Sequence, residues 1–473
     1  MRSDMQGCAF GRYSTVAVVG LGKIGLPLAV QYAEHGWCVL GCDISPVVVD
    51  TVNAGQSHVE EEPGLAARVA RLVEEGLLAA TLDTAAAVRR AEVVVVIVPV
   101  VVDKRHEVDF AGIDAATVAV GAGLQPGTLV VYETTLPVGT TSTRLRGLLE
   151  RESGLQAGRD FYLAYSPERV SSGHIFRDLR TYPKVLGGVD EPSLRAGVAF
   201  YRSVLEADII TMASADEAEF VKLIETTYRD VNIALANEFA CFADARGLDV
   251  ATAIVAANTQ PYSHIHSPGI GVGGHCIPVY PYFLLAGAGQ ALEHQDSPAS
   301  MLELPRMARR VNDSMAAYAV RRVENVLGAF AGKAALVLGI AYRGDVRESA
   351  FTSANLIRDA LLERGATVYA DDPLFSDDEL RSLGYTPLAQ AQEAEIEAIF
   401  LQADHQAYRK LDFSRFTRCK VVLDGRGALR REQIEALGMR YVAIGDGDRK
   451  EKPGREGGVQ PVAASLVWNG GGE

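Results

Sequence analysis

Thr15 to Asp43, TVAVVGLGKIGLPLAVQYAEHGWCVLGCD, decides the fold. Thr15 to Val19 is the β-branched, apolar composition of a strand buried on both faces of a parallel sheet. Gly20-Leu21-Gly22-Lys23-Ile24-Gly25 follows as a G-x-G-x-x-G turn, Leu26 to His35 reads as a helix closed by Gly36, and Trp37 to Gly41 reads as a second strand leading to Asp43. Alone the glycine motif is a weak signal. Set between strand and helix, with an acidic residue about 20 positions further on, it marks a dinucleotide site. Backbone amides at the start of the helix would take the pyrophosphate, and Asp43 would accept from the ribose hydroxyls. A carboxylate there repels a 2'-phosphate, so NAD is expected rather than NADP.

Working outward, Val93 to Val98, Thr128 to Tyr132 and Phe161 to Tyr165 read as further buried strands with helical segments between them, which predicts a doubly wound parallel sheet. Asp216 to Ala245 then runs without Gly or Pro. A helix of about 30 residues spans about 45 Å, more than one domain needs, so it joins two domains or forms a subunit interface. Alternation resumes at Lys333 with strands Ala334 to Ile340, Thr367 to Ala370, Ala398 to Leu401 and Lys420 to Leu423, and a helix Thr352 to Arg364. The turn Gly339-Ile340-Ala341 lacks the G-x-G-x-x-G, so a second dinucleotide site is unsupported. The predicted class is α/β, with two doubly wound Rossmann-like domains joined by a long central helix and a helical middle domain. The expected boundaries are a flexible 1–13, a NAD-binding domain at 14–212, a central helical domain at 213–330, a second α/β domain at 331–447 and a disordered tail at 448–473.

The chain has 473 residues, 46 Lys and Arg against 60 Asp and Glu, and a net charge of -14. That balance argues against a surface for nucleic acid or anionic membrane, which need a concentrated positive field. The longest apolar run, Val93 to Val102, is interrupted by Pro99 and falls short of the roughly 20 residues a membrane span requires. MRSDMQGCAF has no apolar core and does not read as a signal peptide. Six cysteines over this length are too sparse for a disulfide framework and suit the cytoplasm, so a special cysteine is expected to be a nucleophile rather than half of a bridge. Cys276 is the candidate, because the loop Gly269-Ile270-Gly271-Val272-Gly273-Gly274 before it lets the backbone approach a ligand and turn amides toward it. Such a setting exposes and activates a sulfur. Cys38 and Cys42 are expected to be structural. His264, His266 and His275 are expected in loop or substrate-contact roles, and no metal site is expected.

Eight segments in one order resemble the UDP-glucose/GDP-mannose dehydrogenase family, and within it the branch acting on UDP-N-acetylhexosamines: GLGKIGLP from Gly20, EPGL from Glu62, ETTLPVGTT from Glu133, YSPERV from Tyr165, KLIETTYRDVNIALANE from Lys222, GVGGHCIP from Gly271, GIAYRGDVRES from Gly339 and DGRG from Asp424. The resemblance implies oxidation of a sugar C6 alcohol to a carboxylate by two hydride transfers to NAD. Cys276 matches the family nucleophile, which holds the substrate as a thiohemiacetal and then a thioester. Lys222 matches the lysine that stabilises the oxyanion, and Thr135 and Glu168 match the pair that position and activate water; without the resemblance Lys222 is a solvated helix-face cation and Glu168 a surface carboxylate. Arg169, Gly273, Tyr342, Arg343 and Arg347 are implied contacts to the nucleotide sugar, with residues 331–447 as the UDP-binding domain and residues 213–330 as the dimerisation domain of a homodimer or a multiple of it.

Three departures surround the reacting end of the sugar. Thr226 stands where the family has an asparagine one turn after the lysine, Tyr280 where it has an aspartate four residues after the cysteine, and Tyr262 where this branch has an arginine that reaches the neighbouring subunit's sugar. The TP after the Val93 strand is likewise altered, to Pro99-Val100-Val101. A phenol is a poor base at neutral pH. Three readings stay open at this point: a working 6-dehydrogenase whose base role has moved to Glu168 or another group; a divergent enzyme performing one two-electron oxidation or a redox-neutral step; and an inactive paralogue that binds nucleotide sugar.

Overall fold

The computed structural model describes residues 14–103, 105–170, 173–292 and 302–447, so the expected flexible terminus at 1–13 and tail at 448–473 lie outside the described residues. Thr15–Val19 is buried at every position and sits mid-sheet, pairing in parallel with Cys38–Cys42 on one side and Val93–Val96 on the other. The sheet has eight strands in the order Ile209–Thr211, Lys184–Gly188, Tyr162–Tyr165, Leu129–Tyr132, Val93–Val96, Thr15–Val19, Cys38–Cys42, Leu78–Thr81. The change of direction between the first and fourth strands in the chain opens a crevice at their carboxyl ends, where α/β proteins bind ligands.

One pair departs from the all-parallel expectation. Lys184–Gly188 runs antiparallel to Tyr162–Tyr165, through Ala164 opposite Gly188 and Tyr165 opposite Gly187. The sequence reading passes over KVLGG because its two glycines weaken the strand signature. The strand from Val93 ends at Val96, two residues short of expectation, because Pro99 cannot continue a ladder. The second sheet, all parallel, runs Thr386–Pro387, Thr367–Asp371, Ala334–Leu338, Ile396–Leu401, Val421–Asp424, Arg440–Ala443.

The central helix, Ala215–Arg246, has 32 residues. It begins under a Ser214 cap that accepts from Glu217 N–H, carries Asp216 and Glu217 in its first turn and Arg246 in its last, and stops at Gly247 with φ +68°. Each feature favours the ends chosen. Its first half buries Ala215, Ala218 and Leu223 against the N-terminal sheet; its second half buries Ala236, Ala240 and Ala243 in a core shared with Val337 and Phe400 of the C-terminal sheet. Glu303–Leu327 packs along it, with Asn237 donating to Asn312 at 2.9 Å and Tyr318 to Asp244 at 2.8 Å. Among the described residues no helix is long and apolar enough to cross a membrane. Cys42, Cys241, Cys276 and Cys419 are free, whereas Cys38 is disulfide-bonded, a departure from the expectation of unpaired cysteines.

Candidate functional site

The G-x-G-x-x-G turn has the shape that a dinucleotide needs. Gly20 has φ +97°, a conformation that side chains disfavour, and its N–H donates to Cys42 O at 2.8 Å, locking the turn against the second strand. A Cβ on Gly25 would lie 1.8 Å from the Gly20 carbonyl oxygen, so only glycine lets the helix Gly25–Glu34 start this close to the strand. At Gly22 a Cβ would meet nothing within 4 Å: the turn there borders open space that a pyrophosphate can occupy. Asp43 Oδ2 accepts Leu21 N–H and Oδ1 accepts Ser45 N–H, both at 2.9 Å, which fixes a half-buried carboxylate beside the turn with lone pairs free for ribose hydroxyls. These residues fit NAD.

The C-terminal sheet repeats the device and then blocks it. Gly339, φ +92°, donates to Asp371 O at 2.8 Å, as Gly20 does to Cys42. Asp372 Oδ2 accepts the N–H groups of Ile340 and Ala341 at 2.7 and 2.9 Å, and the buried His405 lies 3.1 Å away on the same oxygen. A carboxylate saturated by protein donors and sealed from solvent has nothing left for a ribose. The missing glycines thus coincide with a closed site.

The cysteine loop lies between the two units. Its start is held by a buried amide chain in which Gly269 N–H donates to Asn237 Oδ1, and Asn237 to Asn312. Its middle rests on the C-terminal unit: a Cβ on Gly271 would lie 2.4 Å from Ser353 Oγ, one on Gly273 2.7 Å from Tyr342 Cβ, and one on Gly274 3.2 Å from the Tyr342 ring. The glycines are therefore spent on close packing against the C-terminal unit as well as on amide exposure. Cys276 closes the loop, its carbonyl accepting Tyr280 N–H at 2.9 Å as the helix Tyr280–Leu292 begins. Tyr280 lies beside Cys276, and burial, followed by the neighbouring Cys276, pushes its pKa up, with Thr135 opposing. Tyr280 therefore stays a neutral phenol beside the sulfur.

Lys222, on the central helix, donates from Nζ to the Glu168 carbonyl at 2.7 Å. Glu168 Oε1 accepts the N–H groups of Arg169 and Val170 at 2.6 and 3.0 Å, and Oε2 accepts Lys184 Nζ at 2.9 Å. Lys184 also reaches Glu133 Oε2 at 2.8 Å, while Glu133 Oε1 accepts the hydroxyls of Tyr32 and Tyr201. Burial works to raise Glu168, but Lys184 and the surrounding donors hold it well below the usual carboxylate range; Glu133 is pushed up by burial, with Lys184 opposing. Glu168 has little basicity left in this arrangement. It can orient a water or Lys222 more readily than abstract a proton.

Lys184 is 5% exposed and is the cation shared by the buried Glu133 and the partly buried Glu168. Lys184→Met is expected to destabilise the fold by about 3–5 kcal/mol, since the pair is left uncompensated. Denaturant unfolding measures this, and a change below about 1 kcal/mol would exclude a structural role for the triad.

The remaining candidates divide. Thr226 Oγ donates to the Lys222 carbonyl at 2.9 Å, so its proton is spent on the helix backbone. Arg169 pairs with Glu225 at 2.5 Å and donates to Pro183 O. Tyr342 underlies the cysteine loop, and Arg343 lies over its ring at 5.6 Å. Arg347 is drawn away from the loop by Glu379, Leu374 O and the Phe375 ring. Tyr262 is 89% exposed on the loop before the cysteine segment. No group of metal-binding side chains occurs among the described residues, His264, His266 and His275 included. The sequence reading misses Lys184, Glu348 and Arg426. Arg426 is desolvated, which lowers its pKa, and is held by the carbonyls of Gln402 at 2.6 Å and Tyr342 at 3.3 Å beneath Gly269. The arginine of DGRG was the available signal.

Three domains of one family match in order. Residues 14–205 match the NAD binding domain of the UDP-glucose/GDP-mannose dehydrogenase family, 216–314 its central domain and 336–431 its UDP binding domain. The UDP-N-acetyl-D-mannosamine dehydrogenase of Pyrococcus horikoshii is 35% identical over 444 residues, covering 92% of this chain and 99% of the relative. The NDP-N-acetyl-D-galactosaminuronic acid dehydrogenase of Ralstonia nicotianae is 33% identical, covering 90% of this chain and 98% of the relative. The solved structure of UDP-D-ManNAc dehydrogenase from Pyrococcus horikoshii superposes with a TM-score of 0.82 at 33% identity, covering 92% of this chain and all of that one. With the dinucleotide turn, the cysteine loop and the second α/β unit all falling inside these matches, the chain belongs to the UDP-glucose/GDP-mannose dehydrogenase family of NAD-dependent oxidoreductases.

Proposed function

We propose that the protein oxidises the C6 alcohol of a UDP-sugar, of the UDP-N-acetylhexosamine or UDP-glucose type, to the uronate in two steps on Cys276. The observation that carries this reading is the position of Cys276, at the end of a loop packed on the C-terminal unit and one residue after a side chain that reaches, through Glu348, the dinucleotide turn. Residues 14–212 hold the cofactor, 213–330 the cysteine and the subunit contact, and 331–447 the nucleotide. Gly20–Gly25 and Asp43 would hold NAD, which would supply the hydride acceptor for both oxidations. The C6 alcohol loses a hydride to the cofactor and its hydroxyl proton to solvent, giving the aldehyde; Cys276 Sγ adds as a thiolate, the resulting thiohemiacetal oxyanion loses a second hydride to leave a thioester, and water, giving up its two protons to solvent, displaces the sulfur as thiolate and releases the carboxylate. Lys222 faces the negative oxygen at each stage, electrostatic help that is commonly the largest single contribution to such catalysis. Thr135 and Glu168 orient the water, while Arg426 and Arg343 supply local positive charge for the diphosphate in a protein of net charge -14.

A specific observation supports a second reading, a single two-electron oxidation or a redox-neutral step. Tyr280 occupies the sulfur's vicinity as a neutral phenol, Thr226 has no free donor, and Glu168 is held by three donors. A panel of UDP- and GDP-sugars with NAD+ or NADP+ tests the main reading. NADH formation with a UDP-N-acetylhexosamine or UDP-glucose is the expected result, and turnover confined to GDP-sugars or to NADP+ would contradict it.

We also infer a homodimer, in the cytoplasm where the soluble NAD pool lies. Phe220, Ile224, Tyr228, Leu235, Phe239 and Phe242 recur at three-, four- and seven-residue spacing along the central helix and are 42–62% exposed. An exposed apolar stripe of this length marks an interface. The double variant Ile224→Glu, Phe239→Glu is expected to halve the mass measured by light scattering. A monomeric parent protein, or a variant of unchanged mass, would rule the stripe out as the contact.

A further inference from the structure

Lys23 is the charged residue within the glycine turn, and its half-exposed side chain ends on two carboxylates. Nζ lies 2.8 Å from Glu61 Oε1 and 3.0 Å from Glu348 Oε2. The same Glu348 oxygen lies 3.2 Å from His275 Nε2, on the residue before Cys276. Glu348 Oε1 accepts Ala350 N–H at 3.0 Å, and the Ala350 carbonyl accepts Gly274 N–H at 2.8 Å. One carboxylate of the C-terminal unit thus touches the cofactor turn with one oxygen and, through two hydrogen bonds, holds the cysteine loop with the other. Two carboxylates share one ammonium here, so Lys23 is contested before any ligand arrives. A pyrophosphate on the adjacent amides adds a third claim on it, and attraction that Lys23 gives to the phosphate is withdrawn from Glu348.

We propose that Glu348 is a positioning residue that couples occupancy of the cofactor turn to the alignment of Cys276. With the turn empty, Glu348 divides its carboxylate between Lys23 and His275; with pyrophosphate bound, Lys23 turns to the phosphate and Glu348 bears on His275 and, through Ala350, on the Gly274 end of the loop. Binding on one domain is thereby transmitted to the sulfur through a single side chain of another. This rests on the turn being the NAD site and Cys276 the nucleophile, so NAD+ binding is measured separately, by calorimetry, on each protein.

The test is the rate of Cys276 alkylation by iodoacetamide, followed by peptide mass spectrometry with and without saturating NAD+. In the parent protein the two rates should differ by about fivefold or more, the lower range of ordinary site-to-site coupling. In Glu348→Gln, which leaves Lys23 and NAD+ binding in place, the ratio should fall to within about twofold of one; Lys23→Met, which binds NAD+ more weakly and is read at a concentration calorimetry shows to be saturating, should show the same fall, and combining the two should change it no further. Glu348→Asp should restore part of the ratio. A parent protein whose alkylation ignores NAD+, or variants that keep the full ratio, would overturn the proposal. Should Glu348→Gln fail to fold, Lys23→Met reads the same coupling from the other end. Failure of the parent protein to bind NAD+ would instead sink the reading of the turn and take the coupling with it.

Discussion

Cys276→Ser is expected to lose oxidation to the uronate, with kcat falling on the order of 10³-fold or more, the scale seen when a nucleophile is removed from a concerted catalytic group. A serine hydroxyl at the same place is a weak nucleophile without an adjacent base, and the Tyr280 beside it is a neutral phenol. Capture of the aldehyde is then lost while cofactor and nucleotide sites remain, so any residual NADH should not exceed one equivalent per sugar. Steady-state rates with product analysis check this. A serine variant that still delivers uronate at the parent rate would mean that the sulfur is not the attacking group.

The second large effect concerns the altered residues. Restoring Tyr280→Asp together with Thr226→Asn is expected to raise the rate on a UDP-N-acetylhexosamine by about 10²-fold, the lower range of what a placed general base contributes. The physical reason is visible at both positions. The phenol is kept neutral by burial beside Cys276, and the threonine proton is committed to the Lys222 carbonyl, whereas an asparagine amide one helical turn from Lys222 can donate outward. The single substitutions should give less than their sum, because both serve the same oxygen and water. An unchanged or lower rate in the double variant would show that these positions are adapted to a different substrate rather than depleted.

Local pattern made the fold readable where it was strongest. Thr15–Val19 and the central helix stand within a residue of their expected ends, since a β-branched run before a glycine turn and an uninterrupted helical stretch each admit one reading. KVLGG at Lys184 was not readable, because strand glycines look like a turn until a partner strand is present. The same limit applied to the site. Cys276, Lys222, Thr135 and Glu168 stand out through motif and order, but nothing in the sequence ties Glu168 to Lys184, which follows it by 16 positions, holds its carboxylate and has no motif of its own. Glu348 and Lys23 are 325 positions apart. Only the folded chain brings them to one oxygen.

The most direct measurement is the number of NADH molecules formed per sugar consumed by the pure protein under single-substrate conditions. Two equivalents, with uronate as the product, is the predicted result. One equivalent, or conversion of the sugar without NADH, would contradict a two-step oxidation on Cys276.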